Sequence, residues 1–307
     1  MVPDELRWVR RPTLRRPVMI AAFEGWNDAG EAATVAVAHL AEEWTAQPFA
    51  SIDPEEFFDF SATRPEVRLV EGGARQVVWP TNEFSAARMG STGRDVILLA
   101  GNEPQLRWRA FCTHIVEVAQ ACGAELVVTL GALLADVPHS RPVRITGTAA
   151  DQEMIDRLGL ERSRYEGPTG IVGILHDALS AAGIRSCSLW ATVPHYLPGT
   201  PSPKAALALI ERAQMLLDVQ VETLDLQIST AQYERQVSEV VDADEDMAAY
   251  VHRLEISHDS GESLDDDDDD EDNDEADPRD AFRDSEGNLP TGDALAAELE
   301  RYLRDQG

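Results

Sequence analysis

Acidic, amide and imidazole side chains gather at four places where the chain leaves an apolar run. Glu24, Trp26, Asn27 and Asp28 follow the run at 17–23, and Asn102 and Glu103 follow the run at 95–100. Asp136 and His139 come after 125–130, and His195 and Tyr196 after 186–193. Carboxylates beside imidazoles are the parts of general acid–base catalysis. In open α/β sheets ligands bind beyond the carboxyl ends of the strands, which is where these residues would stand. One reading is therefore a hydrolase- or phosphorylase-like enzyme whose pocket draws together Glu24, Asp28, Asn102, Asp136, His139 and His195. The other reading needs no chemistry and is the stronger. Helix starts take Asp, Asn and Glu as caps, and Pro-His after a strand is ordinary turn sequence. The chain has no G-x-S-x-G, Walker A, G-x-G-x-x-G or H-E-x-x-H signature, so no catalytic residue is expected.

Other chemistry fares no better. His139, His195, Asp136 and Glu24 are metal-ligand types, but no local spacing sets two of them on one helix face, and neither a metal nor a cofactor is expected. Gly167-Pro168-Thr169-Gly170, placed before a helical pattern, offers backbone N–H groups to an anion, although a turn of this composition is common. His39, His114 and His176 lie inside helical patterns and read as packing or surface residues. Cys112, Cys122 and Cys187 are odd in number and lack a C-x-x-C pair, which fits buried thiols and not disulfides or a zinc site.

The elements that must position these groups alternate. The run PVMIAAF at 17–23 has the pattern of a strand buried on both faces. A helix is expected over 29–44, with Asp28 and Glu31 as its capping pair. Further strands are expected at 67–70, 76–79, 95–100, 125–130, 143–146 and 186–193, and helices at 107–122, 171–182 and 203–218. Ser202 caps the last of these, with Pro203 at its first position. This alternation predicts an α/β layered fold with a mainly parallel sheet. Two short echoes, Asp136-Val137-Pro138-His139 and Thr192-Val193-Pro194-His195, each close a strand.

Leu217, Val221, Leu224, Ile228 and Ala231 then form a helical stripe with no strand after it. The domain order expected is an N-terminal extension at 1–16, an α/β core at 17–202 and a helical appendage at 203–257. An acidic linker at 258–290 and a short helix at 291–307 follow, the last presenting Leu295, Leu299, Tyr302 and Leu303 as candidates for partner binding. The exposed stripe predicts a homo-oligomer.

Charge excludes several functions. Residues 259–280 hold 14 acidic side chains and one arginine, a net of −13 within the total of −30, so the rest of the chain carries −17. A surface of that sign repels phosphate backbones, and nucleic acid is not an expected partner. No apolar run approaches the ~18 residues that a membrane span needs, and no secretory signal opens the chain, so a cytoplasmic location is expected.

The segment Glu24-Gly25-Trp26-Asn27-Asp28-Ala29-Gly30 resembles the proteasome assembly chaperone family, in the branch named for the second chaperone subunit. TLGALLADVPHSRPVRITG at 129–147, YEGPTGIVGILH at 165–176 and SLWATVPHYLPGTPSPKA at 188–205 are similar to its bacterial members. The resemblance runs from about Val18 to the end of the appendage. It implies a three-layer α/β/α sandwich of the phosphorylase/hydrolase-like type with a C-terminal helical appendage. It also implies an oligomeric scaffold or assembly chaperone that binds proteins, proteasome subunits among them, and it carries over no catalytic residue. Some relatives end in a hydrophobic residue, tyrosine and one further residue. Here Arg301 precedes Tyr302 and Leu303 to Gly307 follow it, a departure from that ending.

Overall fold

A strand that is apolar on both faces must be covered on both, and this requirement organises the molecule. The computed structural model describes residues 5–70, 73–90, 93–162 and 166–260. The first half contains β1 (Leu6–Trp8), β2 (Val18–Glu24), α1 (Ala32–Glu43), β3 (Gln47–Ile52), β4 (Glu66–Leu69), β5 (Arg75–Val78), β6 (Asn82–Ala87) and β7 (Val96–Asn102). Then come α2 (Trp108–Cys122), β8 (Leu126–Ala135), β9 (Ile145–Ala149), α3 (Gln152–Leu158), α4 (Ile171–Ala181) and β10 (Ser186–Pro194). The described chain closes with α5 (Pro203–Leu217), α6 (Leu224–Asp242) and α7 (Glu245–Ser260).

Strand β2 lies inside an eight-stranded sheet of order β1-β3-β6-β7-β2-β8-β10-β9. Its alternation splits the core in two. Val18, Ile20 and Ala22 pack with α1 and α5, whereas Met19, Ala21 and Phe23 pack with α2 and α4. The result is the expected α/β/α sandwich, but the sheet is mixed and not mainly parallel. Only β7, β2, β8 and β10 run parallel; β1, β3, β6 and β9 are antiparallel to their neighbours. The sequence reading missed β1, β3 and β6, which flank the parallel centre.

Three local expectations are also corrected. Asp28 and Glu31 do not form a capping box, because a single 3-10 turn at Ala29–Glu31 intervenes and Glu31 itself adopts φ 53°. The expected 67–70 and 76–79 strands exist, as β4 and β5, but outside the central sheet, in a separate two-stranded ribbon. The stripe from Leu217 to Ala231 is broken: α5 ends at Leu217, Asp218 turns left-handed at φ 54°, and α6 begins at Leu224. Leu217 is buried while Leu224 and Ile228 are exposed, and α6 packs inward through Leu226, Tyr233, Val237 and Val241. Helix α7 runs to Ser260, past the expected boundary at 257, and Asp259 is held by Arg141 at 2.7 Å. The rest of the acidic linker and the candidate helix with Leu295, Leu299, Tyr302 and Leu303 lie outside the described residues.

The close approach of the sheet to its loops leaves no room for side chains at certain glycines. A Cβ on Gly101 of β7 would stand 2.3 Å from the carbonyl oxygen of Thr81 and 2.3 Å from Oδ1 of Asn82. Gly101→Ala is therefore expected to cost about 1–3 kcal/mol through forced movement of backbone. Gly90→Ala meets nothing within 4 Å and serves as control. Thermal unfolding checks the pair: Gly101→Ala should melt several degrees lower and Gly90→Ala at the parental temperature.

Candidate functional site

The residues at the strand ends fall into two clusters. In the first, β2 ends at Glu24 and the chain turns through Gly25, whose φ of 141° suits glycine. Asn102 at the end of β7 donates from Nδ2 to Glu24 at 2.9 Å. Glu103, one residue on, accepts from the Trp26 N–H at 3.3 Å, from Asn27 Nδ2 at 3.0 Å and from the Ile171 N–H at 2.8 Å. The last donor is the start of α4, so the helix terminus offered to an anion in the sequence reading receives this protein's own carboxylate. Asp28 is buried and accepts from the Ala33 N–H at 2.6 Å, the Thr34 N–H at 3.3 Å and the Thr34 hydroxyl. Desolvation raises its pKa, and those donors oppose the rise. Asp28 thus caps α1 from one turn further back than a standard N-cap.

The second cluster joins the echoed Val-Pro-His segments, which end the adjacent parallel strands β8 and β10. Asp136 pairs with His195 Nδ1 at 2.8 Å and accepts from the Tyr250 hydroxyl at 3.1 Å. The Tyr196 hydroxyl accepts the His139 backbone N–H at 2.8 Å and lies 2.8 Å from His139 Nδ1. The other ring nitrogen, Nε2, lies 3.0 Å from Ser238 Oγ. Burial, then the neighbouring Lys204, holds the His139 pKa below its ordinary value. Lys204 bonds the His139 carbonyl at 2.6 Å and Glu234 at 2.5 Å. The cluster therefore fastens α6 and α7 to the strand ends.

The six residues of the enzyme reading do not meet in one pocket. Asp28 lines a large groove and His139 a cleft of about 10 Å³, while Glu24, Asn102, Asp136 and His195 line neither. Among the described residues no group of three or more His, Cys, Asp or Glu could hold a metal ion, and no helix is long and apolar enough to cross a membrane. His39 and His114 bond the Glu222 carbonyl and Glu5 at 2.8 and 2.9 Å.

The groove, about 1190 Å³, went unread in the sequence. Helices α1, α3 and α5 cover one sheet face out to β9 and β10, but on the other face α4 is the last helix. Beyond it the outward residues of β9 and β10, Thr146, Thr148, Ser186, Ser188 and Trp190, form an open floor. Thr148 and Ser188 share a hydrogen bond of 2.7 Å, and Ser188 accepts from the Trp190 indole at 3.1 Å. Alternation of these polar residues with Cys187, Leu189, Ala191 and Val193 was the available signal. Trp26, 69% exposed, and Leu133 also line the groove. The other candidate surface is the β4–β5 ribbon, where Val67, Leu69, Val77 and Trp79 share one exposed face and Leu69 is 74% exposed. A two-stranded ribbon is at best marginally stable alone in water.

Comparison with known proteins follows the same lines. A model of the PAC2 family matches residues 22–241. A PAC2 family protein from Streptomyces avermitilis is 47% identical, covering 76% of this chain and 99% of that one, with a TM-score of 0.72. A Mycobacterium tuberculosis proteasome-assembly chaperone homologue is 45% identical over 76% of this chain and 99% of its own, with a TM-score of 0.69. An archaeal proteasome activator from Pyrococcus furiosus, 18% identical over 76% of this chain and 97% of its own, shares the fold at a TM-score of 0.63. No curated protein matches the chain.

His176 gives the site a measurable pH signature. Its ring, on the groove wall, lies between Thr129 Oγ1 at 2.9 Å and Ser186 Oγ at 2.7 Å, and desolvation lowers its pKa to about 4. The folded state thus favours neutral imidazole. Its contribution is complete above the unfolded value of about 6.5 and is lost as pH falls from there toward 4. The expected slope is at most about 1.4 kcal/mol per pH unit. Denaturant unfolding of the parent and of His176→Gln across pH 7 to 4 should show this loss in the parent and a flatter profile in the variant.

Proposed function

The chain belongs to the PAC2 family, and from that membership we propose that it is a protein-binding, assembly-chaperone-like factor whose partners are proteasome subunits. The observation that carries the reading is the 45% identity to a proteasome-assembly chaperone homologue over 99% of that protein. Both ring nitrogens of His139 are engaged within the fold, by Tyr196 and Ser238, which suits a strut between elements. Homo-oligomerisation and a cytoplasmic location belong to this proposal, as does a second contact through Leu295, Leu299, Tyr302 and Leu303 at the end of the acidic segment.

The β4–β5 ribbon is the surface we assign to the partner. It exposes Val67, Leu69, Val77 and Trp79 where nothing among the described residues covers them fully, and a third strand or a flat apolar surface would complete it. Its sequence from Arg64 to Trp79 holds three arginines against two glutamates, so it lacks the acidity of the rest of the chain. Co-expression with proteasome α-type subunits, followed by native mass spectrometry, tests the proposal. A mixed complex is expected, and Val67→Ser with Leu69→Ser should reduce its amount at least about tenfold with the melting temperature unchanged. Absence of any mixed complex and of any effect on ring assembly would remove the function. A complex indifferent to the two substitutions would remove the ribbon from it.

A further inference from the structure

We propose that the open groove beside α4 binds a short neutral saccharide, stacked on Trp190 and hydrogen-bonded to the hydroxyls of β9 and β10. The stacking surface comes from the way Trp190 is held. A Cβ on Gly131 of β8 would stand 2.6 Å from two carbons of the Trp190 ring and 3.0 Å from a third. Distances this even arise when the indole lies face down on the glycine. Its N–H donates to Ser188 Oγ at 3.1 Å, so the ring is pinned flat, and what it offers to the groove it lines is its other face. That face carries negative charge density and attracts the weakly positive C–H bonds of a saturated ring, while the contact takes apolar surface out of water.

Hydroxyls stand beside this platform. Thr146 is the partner of Trp190 across β9 and β10, and Thr148 is the partner of Ser188. Thr146 is exposed, and its hydroxyl has no partner among the described residues. Thr148 and Ser188 share one hydrogen bond of 2.7 Å, and Ser188 already accepts from the indole. Two hydroxyls carry two protons and the bond between them uses one, so whichever residue donates, a second proton is left for an acceptor in the groove. Such a row suits a ligand whose own groups both donate and accept, as sugar hydroxyls do.

Charge narrows the choice. Besides His176, the acidic and basic side chains lining the groove are Asp28, Glu31 and Arg162, and Asp28 is engaged by Ala33 and Thr34. His176 is neutral at physiological pH, since burial lowers its pKa to about 4. The first N–H of α4, where an anion would sit, is bonded to Glu103. A phosphate or carboxylate ligand would find one guanidinium in a chain of net −30, which disfavours it. At about 1190 Å³ the groove exceeds the ~300–1,000 Å³ usual for one small molecule, which suits linked sugar rings better than a single ring. None of this depends on proteasome binding, which concerns the ribbon.

The test is to probe an array of neutral di- to pentasaccharides built on glucose, galactose, mannose and N-acetylglucosamine with the full chain, and to titrate each hit by calorimetry. Saturable binding is expected, with a Kd at or below about 1 mM. Because the ligand is uncharged, that Kd should change less than about twofold between about 0.05 M and about 0.5 M salt. Thr146→Val, at an exposed position and nearly isosteric, should weaken binding about threefold to tenfold with the melting temperature unchanged. Trp190→Leu should remove the binding. Since that ring also packs on the core, Thr146→Arg provides the same check from the surface, filling the space beside the ring and weakening binding at least about tenfold. An array without a binder, variants at Thr146 that bind as the parent does, a steep salt dependence, or binding of adenosine in place of the saccharides would each overturn the assignment.

Discussion

The carboxylate of Glu103 is the contact on which the functional end of the fold depends. It accepts from the turn after β2, from the Asn27 side chain and from the first N–H of α4, so it ties three chain segments at the carboxyl ends of the parallel strands. Hydrogen bonds to a charged acceptor contribute about 1.5–3 kcal/mol when well formed, and an unsatisfied buried donor costs as much. The surrounding sequence is bent to this purpose. Gly25 and Gly170 are glycines because a Cβ would stand 3.1 Å from the Glu103 side chain in the first case and 2.6 Å from Asn27 in the second. Glu103 also complements the positive end of α4. A motif that offers a helix terminus to an anion is thus completed from within, and the chemistry suggested by carboxylates near strand ends becomes architecture.

The appendage is held differently. Its apolar cluster is small, Tyr233, Val237, Val241 and Val251 with a few partly buried neighbours, so polar ties carry much of the attachment. Those ties are unequal. The pair of Arg141 with Asp259 is half-exposed and worth little after screening. Lys204 is 13% exposed and holds Glu234 and the His139 carbonyl together, so loss of either partner would strand a buried charge. Lys204 is also the only lysine of the chain. Its enclosure by an acid and a carbonyl turns the one candidate for amine chemistry into a peg between α5 and α6.

What the sequence disclosed follows from how local the causes were. β2 and the helices α1, α2, α4 and α5 were legible because burial on two faces, or a cap such as Ser202 with Pro203, is written in adjacent residues, whereas the seven-residue α3 went unread. β3 was not, since Pro48 sits at a register shift in a strand that begins exposed, and β1 is three residues long. The stripe from Leu217 to Ala231 misled because periodicity ignores Asp218, whose left-handed turn rotates the next helix so that Leu226 and not Leu224 faces inward. Site residues show the same limit. The types at the strand ends were visible, and the echoed Val-Pro-His segments do stand side by side. The hydrogen-bond partners of the His139 ring are Tyr196 and Ser238, 57 and 99 residues away, and no local pattern reports them.

Charge then decides which surfaces remain open to contact. At −30 overall, two copies or a copy and another acidic protein repel beyond contact distance, with a range of about 8 Å at physiological salt. Apolar patches on such a body associate only where the local field is weak. The ribbon, with its arginines, and the groove, lined by Arg162 and a shielded Asp28, are both such places, and the exposed line on α6 ends at Arg235, which pairs with Glu239. Leu224 and Ile228 would be a liability on a neutral protein, where any apolar surface could take them. Here the surrounding acidity discourages casual partners, and a partner must present either a near-neutral apolar cavity or a cation-bearing face. That restriction lets the chain keep several apolar surfaces exposed and still discriminate among what they meet.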